Sequence, residues 1–102
     1  MLRTQRNAQI HFVATLVVVA AGFIFGVGIG EWIALVLAIT LVLALEALNT
    51  ALEAVVDLAS PQLHPLAKRA KDVAAGAVLI GAIGAAVVGC LIFIPRLLAL
   101  VL

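Results

Sequence analysis

Three long apolar runs, separated by short polar segments, constrain this chain more than any other feature of its sequence. The runs cover residues 11–29, 33–58 and 73–94. A helix needs about 20 apolar residues to cross the hydrocarbon core of a bilayer. Because 67% of the 102 residues are hydrophobic, a soluble domain could not bury them all. Strands would leave unpaired backbone groups in lipid, so we predict an all-α integral membrane protein with three transmembrane helices.

Glycine, proline and charged residues set the expected helix boundaries within one membrane domain, residues 1–102. A tight turn at residues 28–32 separates the first two helices. Pro61 and Pro65 prevent a continuous helix after the second run, and the placement of residues 97–102 stays open. The predicted helices cover about 10–29, 32–58 and 68–95. Small residues recur every four positions, which allows close helix approach, at Gly22, Gly26 and Gly30 and again at Gly81, Ala85 and Gly89.

The basic residues indicate how the chain is oriented in the membrane. With three spans, the N-terminus and the second loop lie on the same side. That side carries all the lysines and arginines except Arg96, namely Arg3, Arg6, Lys68, Arg69 and Lys71. Because positive charge concentrates in cytoplasmic segments, we predict a multi-pass cell-membrane protein with its N-terminus in the cytoplasm. The net charge of +1 gives no indication of a nucleic-acid partner, and we expect none.

Four polar residues form a stripe along the cytoplasmic half of the second helix. At 100° per residue, Glu46, Asn49, Glu53 and Asp57 fall at about 0°, 300°, 340° and 20°, over about 16 Å of helix axis. The other faces of this segment are apolar. Carboxylates at membrane depth are costly and usually mark a functional site, so the stripe is the candidate site.

The residue types in this region favour phosphoryl transfer to a membrane-soluble alcohol. Glu46 is the deepest carboxylate, and desolvation makes a carboxylate a stronger general base. Two oxygen donors near the membrane surface could hold Mg²⁺ together with phosphate oxygens. Lys71 and Asp72 lie where the third helix begins, and a cation beside a helix N-terminus suits a phosphate.

Other interpretations of the same residues stay open. Glu46 could couple ion or proton movement in a small transporter, and Asn49 could join helices by a hydrogen bond. The chain could also be a catalytically silent membrane scaffold. His11 and His64 are expected at the membrane interface, since no third ligand accompanies them at metal-site spacing. The sequence contains no GxxxxGK[ST] motif, which excludes a conventional P-loop kinase site.

The stripe also carries a family resemblance. The pattern Glu46-x-Leu-Asn49-Thr50-Ala-Leu-Glu53-x-x-Val-Asp57 resembles the signature of the prokaryotic diacylglycerol kinase family, which includes the undecaprenol kinases. The resemblance continues through residues 64–67 and 69–80 and covers about residues 7–94. It implies a homotrimer of three-helix subunits that transfers the γ-phosphate of MgATP to diacylglycerol or undecaprenol at the cytoplasmic face, in sites shared between subunits. The wording of residues 64–68 favours the undecaprenol branch.

Carried over position by position, the resemblance implies a role for each matching residue. Glu46 is the catalytic base and Asn49 orients it. Glu53 binds the metal ion on ATP. The implied nucleotide-binding set is Glu53, Gln62, Leu63, His64, Lys71 and Asp72. The implied lipid-binding set is Asn7, His11, Trp32 and Glu46.

Two departures from the family pattern fall on the ATP side of the site. Gln5 stands where the family usually has a second metal-binding Glu, and an amide is a weaker Mg²⁺ ligand than a carboxylate. The family also usually begins with an amphipathic surface helix, which this sequence lacks. These differences leave open a weak kinase, a degenerate family member, or a shortened or redesigned chain.

Overall fold

The fold consists of three long α-helices joined by two short connections. The computed structural model describes the backbone of residues 2–102 and the side chains from Asn7 onward. The helices are α1 (Leu2–Phe25), α2 (Ile29–Ala59) and α3 (Pro65–Val101), and the described residues form no strand. Each contains a segment long and apolar enough to cross a membrane. The predicted all-α fold with three membrane-spanning helices is therefore confirmed.

Helix α2 lies at the centre of the molecule. It packs mainly against α3 and less extensively against α1, in a rod measuring 56 × 23 × 18 Å. A small core of Val27, Leu35 and Ile92 forms near the α1–α2 turn. Most other large apolar side chains are exposed on the single chain, as expected where lipid or further helices surround it.

The first turn lies earlier than the sequence predicted. Helix α1 ends at Phe25 because Gly26 adopts a left-handed backbone with φ of 64°, which glycine accepts without strain. The amide of Val27 then bonds to the carbonyl of Gly22 at 3.1 Å, the six-to-one bond of a Schellman motif. Residues 26–28 therefore make the turn, and the predicted turn residues 29–32 already belong to α2.

The start of α2 is fixed by its own third residue. Gly28 is the N-cap, with extended backbone, and its amide donates to the Glu31 carboxylate at 3.1 Å. An acidic side chain in the first turn also interacts favourably with the positive end of the helix dipole. Glu31, which was expected in the turn, is thus a helix-capping residue.

The second loop is shorter than predicted, because α3 begins at Pro65 rather than near residue 68. A proline is well suited to the first helical position, where its missing amide hydrogen has no partner to lose. His64 is the N-cap, and its Nδ1 accepts the amide hydrogen of Leu66 at 3.1 Å. Pro65 therefore starts the third helix instead of belonging to the loop.

The third helix also continues past its predicted end near residue 95. Pro95 lies inside α3 and cannot donate to the carbonyl one turn before it, yet the helix extends to Val101. Membrane helices accept proline where nearby groups compensate. The carbonyl that loses its helical donor to Pro95 is that of Leu91, and the Arg96 guanidinium donates to the next carbonyl, that of Ile92, at 3.0 Å. The segment after Pro95, left unplaced by the sequence, is helical.

Close helix contact occurs at one glycine of each predicted set. A Cβ added at Gly22 would lie 2.5 Å from the Trp32 ring, and one added at Gly81 would lie 2.6 Å from Leu45 Cδ1. Gly30, Gly84 and Gly89 have open space beside them in the single chain. The spacing thus predicted close approach correctly at Gly22 and Gly81.

Candidate functional site

The polar stripe of α2 grades from buried to exposed along the helix. Glu46 and Asn49 are each only 7% exposed, whereas Glu53 is half-buried and Asp57 is exposed. The buried end lies inside the membrane-length part of α2, and the exposed end lies near the second loop. A path of polar groups therefore leads from the molecular surface to a buried carboxylate.

Among the side chains described from Asn7 onward, Glu46 has a close polar neighbour on another helix. Its Oε2 lies 3.2 Å from Nε2 of His11 on α1. Even so, neither carboxylate oxygen of Glu46 accepts an aligned hydrogen bond from any described residue. Thr50 donates instead to the backbone carbonyl of Glu46, at 3.0 Å. Buried polar groups normally have hydrogen-bond partners, so this carboxylate has capacity for a further donor.

Asn49 bonds to Glu53, whereas the family resemblance implied that it orients Glu46. Its Nδ2 donates to Glu53 Oε1 at 2.9 Å, one turn along the helix. Its Oδ1 is buried and accepts no hydrogen bond from the described residues. Asn49 therefore supports Glu53 in this structure, while His11 is the side chain next to Glu46.

The basic residues at the start of α3 lie beside the exposed end of the stripe. The ammonium of Lys71 bonds to the carboxylate of Asp57, which joins α3 to α2. Asp72 bonds to Lys68 at 2.8 Å on the same helix. An open groove of about 440 Å³ runs along this part of α3, lined by Pro65, Lys68, Arg69, Asp72 and Val73.

The second loop occupies the same end of the molecule as Lys71. His64 caps α3, and the carbonyl of Gln62 accepts the Ser60 hydroxyl at 3.0 Å. The side chain of Leu63 is fully exposed. The three loop residues expected near a nucleotide thus lie close in sequence to the groove and present an accessible surface.

The residues expected to bind lipid do not all come together. Asn7 and His11 lie one turn apart on α1, and His11 contacts Glu46. Trp32 lies about 21 Å from Glu46 along α2, where its ring packs on Gly22 and on Phe23 with centroids 4.9 Å apart. The side chain of Gln5, the expected second metal ligand, is outside the described residues.

Two contacts were missed by reading the sequence. His11 was expected at the interface, and Arg96 was given no partner, yet His11 meets Glu46 and Arg96 binds Glu31. In an antiparallel hairpin, residues equally far from the turn face each other. His11 and Glu46 lie 15 and 18 residues from the 26–28 turn, so the spacing brings them to within about one helical turn of each other but does not give the faces that meet.

The donors at the stripe suit a magnesium ion that arrives on a nucleotide. The described residues contain no group of three or more His, Cys, Asp or Glu side chains arranged to hold a metal. Mg²⁺ commonly uses one or two carboxylates and takes its other oxygens from phosphates and water. The Glu53 carboxylate and the buried Asn49 Oδ1, on adjacent turns, supply the hard oxygen atoms that such an ion requires.

The helices and stripe define a class: a small three-helix membrane protein with a buried carboxylate linked to a charged surface. Comparison with protein families then identifies it more closely. The model of the prokaryotic diacylglycerol kinase family matches residues 1–93. The chain therefore belongs to the prokaryotic diacylglycerol kinase family.

Individual relatives carry two names. The undecaprenol kinase of Bacillus subtilis is 47% identical over 95 residues, which cover 93% of this chain and 77% of that protein. The diacylglycerol kinase of Synechocystis is 50% identical over 99 residues, which cover 95% of this chain and 56% of that protein. The diacylglycerol kinase of Escherichia coli K12 is 43% identical over 58 residues, covering 57% of this chain and 48% of that protein. The chain thus spans about half the length of the last two relatives.

Proposed function

We propose that this chain is a lipid kinase that transfers the γ-phosphate of ATP to the hydroxyl group of a membrane lipid alcohol. The observation that carries this proposal is the buried Glu46 carboxylate, which accepts no aligned hydrogen bond from the described residues. An acceptor hydroxyl would supply the missing donor. The names of the relatives, undecaprenol kinase and diacylglycerol kinase, support the same reaction class.

In the proposed mechanism, Glu46 is the general base. Its carboxylate accepts the hydroxyl proton while the lipid oxygen forms a bond to the γ-phosphorus. The bond from that phosphorus to the β,γ-bridging oxygen breaks, and ADP leaves with the electron pair. Positioned proton transfer of this kind contributes about 10²–10⁴-fold to a rate. The burial of Glu46 keeps competing water away from the base.

The exposed end of the stripe is the proposed nucleotide side. Glu53, supported by Asn49, would hold Mg²⁺ on the phosphates, where the ion would offset negative charge. Lys71 would bind the phosphates, with Asp72 beside it. The loop residues Gln62, Leu63 and His64 would lie near the adenosine. Lys71 is paired with Asp57 in this structure, so a nucleotide would have to take over that ammonium group.

The lipid would approach along α1. Its hydroxyl would meet Glu46 near Asn7 and His11, which lie on the same part of the structure. Trp32, at the other end of α2, is too far away to contact a headgroup there and could contact only an apolar lipid chain. The sequence of residues 64–68 favours undecaprenol as the acceptor, with diacylglycerol as the other candidate.

We further propose a homotrimer in the cell membrane, with the N-terminus and the second loop in the cytoplasm. The distribution of basic residues supports this orientation, because only Arg96 lies at the opposite end. The open space beside Gly84 and Gly89 would let helices of neighbouring subunits approach closely.

Phosphate transfer from labelled ATP tests the proposal directly. Purified protein in mixed micelles is incubated with Mg²⁺, γ-labelled ATP and either undecaprenol or diacylglycerol, and the lipids are separated. We expect label in a lipid product, lost when Mg²⁺ is chelated, with undecaprenol the better acceptor. The oligomeric state is measured on the same preparation by sedimentation.

The possible outcomes separate the competing functions. Label in neither lipid, from protein that remains trimeric and folded, would contradict the kinase and favour a silent scaffold. Proton uptake into vesicles that needs no ATP would instead support an ion-coupled role for Glu46. Better transfer to diacylglycerol would keep the kinase and reverse the acceptor preference.

A further inference from the structure

We infer that His11 is the positioning residue of the Glu46 base, an inference that rests on the proposed function. The two side chains come from different helices and meet at 3.2 Å, between Nε2 and Oε2. The histidine side chain is 19% exposed and that of Glu46 is 9% exposed, so the contact is largely shielded from solvent. A polar contact in such surroundings is stronger than the same contact in water.

The neighbouring polar side chains leave this task to His11. The family resemblance implies Asn49 for this role, but in this structure its Nδ2 donates to Glu53 at 2.9 Å and makes no hydrogen bond to either Glu46 oxygen. The Thr50 hydroxyl is engaged with the Glu46 backbone carbonyl, at 3.0 Å. His11 is therefore the side chain whose nitrogen the structure places beside the Glu46 carboxylate, at 3.2 Å.

The positions of the two carboxylate oxygens suggest how the contact works. His11 approaches Oε2, which leaves Oε1 available to accept the hydroxyl proton of the lipid. A hydrogen bond from Nε2 to Oε2 would stop rotation of the carboxylate and hold Oε1 towards the acceptor. His11 keeps its own proton throughout, and the transferred proton ends on Glu46. Catalytic hydrogen bonds that are poorly aligned without substrate often tighten when it binds.

His11 lies on a regular part of α1, where a side chain one turn away bonds to its backbone. The Thr15 hydroxyl donates to the His11 carbonyl at 2.7 Å, one turn along the helix. This bond goes to the backbone of His11 and not to its imidazole, so Thr15 offers a matched control on the same turn of α1.

Steady-state kinetics of His11 variants test the role. In the mixed-micelle assay, His11→Ala should lower kcat by about 10- to 100-fold, a part of the total base contribution, and leave the KM for ATP within about twofold. His11→Gln should recover most of the rate, because its amide nitrogen can occupy the place of Nε2 and donate. Thr15→Val should keep kcat within about twofold, since a backbone-only contact is lost.

A second measurement reports on the contact without any catalysis. The chain has two histidines, so labelling histidine with nitrogen-15 gives two imidazole rings in an NMR spectrum. The signals absent from His11→Gln belong to His11. Glu46→Gln should shift those signals and leave His64 unchanged. Glu31→Gln removes a carboxylate about 22 Å away along α2 and should shift neither ring.

These measurements distinguish the two levels of the inference. If His11→Ala retains the normal kcat while the unsubstituted chain is active, the positioning role is wrong and the kinase stands. If the unsubstituted chain transfers no phosphate, the proposed function fails and the positioning role fails with it. If Glu46→Gln does not shift the nitrogen-15 signals of the His11 imidazole, the contact between His11 and Glu46 does not exist in the membrane protein.

Discussion

Helix α2 carries one glutamate in its first turn, Glu31, and another near its middle, Glu46, and the two have opposite surroundings. Glu31, at the first turn, accepts the Gly28 amide and both terminal nitrogens of Arg96, with Nη2 to Oε1 at 2.6 Å. Glu46, about 22 Å further along, is buried more deeply, yet neither of its oxygens accepts an aligned hydrogen bond from the described residues.

The difference separates a carboxylate with a structural role, Glu31, from the carboxylate that we propose is functional, Glu46. A carboxylate that is fully bonded within its own chain stabilises the fold and has little left to offer a ligand. A carboxylate that is buried without donors costs stability, so its retention needs another reason. Arg96 thus joins the end of α3 to the start of α2, whereas the Glu46 oxygens lack an aligned donor among the described residues, which agrees with the role proposed for them.

The largest expected effect comes from neutralising the functional carboxylate. Glu46→Gln should reduce phosphate transfer by at least about 100-fold, because an amide cannot accept the hydroxyl proton. The midpoint of thermal unfolding should stay the same or rise, since a poorly bonded buried charge is removed. The measurements are labelled-lipid formation and unfolding in the same micelles.

Glu31→Gln is the matched control, because it makes the same chemical change on the same helix. It should leave the rate within about threefold while lowering thermal stability, since its hydrogen bonds to Arg96 weaken. Equal losses of activity in the two variants would show that the comparison between Glu31 and Glu46 is mistaken.

The second prediction concerns the structural end. Arg96→Ala removes two bonds to Glu31 and one to the Ile92 carbonyl, next to the helix-interior Pro95. We expect the midpoint of thermal unfolding to fall by roughly 5 °C, with kcat nearly unchanged. Lys68→Ala, which breaks an exposed pair within α3, should lower it by less than about 2 °C. A large loss of kcat in Arg96→Ala would mean that the Glu31–Arg96 contact is coupled to the site around Glu46.

The sequence predicted the fold well because the membrane leaves few alternatives. Three apolar runs of spanning length favour three helices, because the backbone groups of isolated strands would be unpaired in lipid. The boundaries were less predictable because they depend on local hydrogen bonds. The left-handed Gly26, the Glu31 cap and the His64 cap each moved a boundary by a few residues.

The candidate site was predictable along one helix and not between helices. Helical periodicity placed Glu46, Asn49 and Glu53 on one face, and the gradient from buried to exposed agrees with that placement. Contacts between helices depend on their register, which a single sequence does not give directly. For this reason His11 was not recognised as the neighbour of Glu46. The orienting role of Asn49 at Glu46, which the resemblance implies, stays a prediction, and in this structure Asn49 bonds to Glu53.

The smallest expected effect lies at the charged surface, where a paired side chain is proposed to bind a ligand. Lys71 is bonded to Asp57, so the nucleotide phosphates must compete for the ammonium group. Asp57→Asn should lower the KM for ATP by about two- to threefold, because an exposed ion pair contributes little and is easily replaced. Raising the salt concentration should reduce the difference, since ions screen exposed charges.

The direction of this change decides what the pair does. Asp57→Glu keeps the charge and should leave the KM close to that of the unsubstituted chain. If Asp57→Asn raises the KM instead, Asp57 holds Lys71 in the orientation that phosphates need, and the pair is then part of the nucleotide site. In that case the Asp57–Lys71 pair would resemble the Glu31–Arg96 pair, in which hydrogen bonds fix the geometry of the side chains. It would differ from Glu46, whose oxygens accept no aligned hydrogen bond from the described residues.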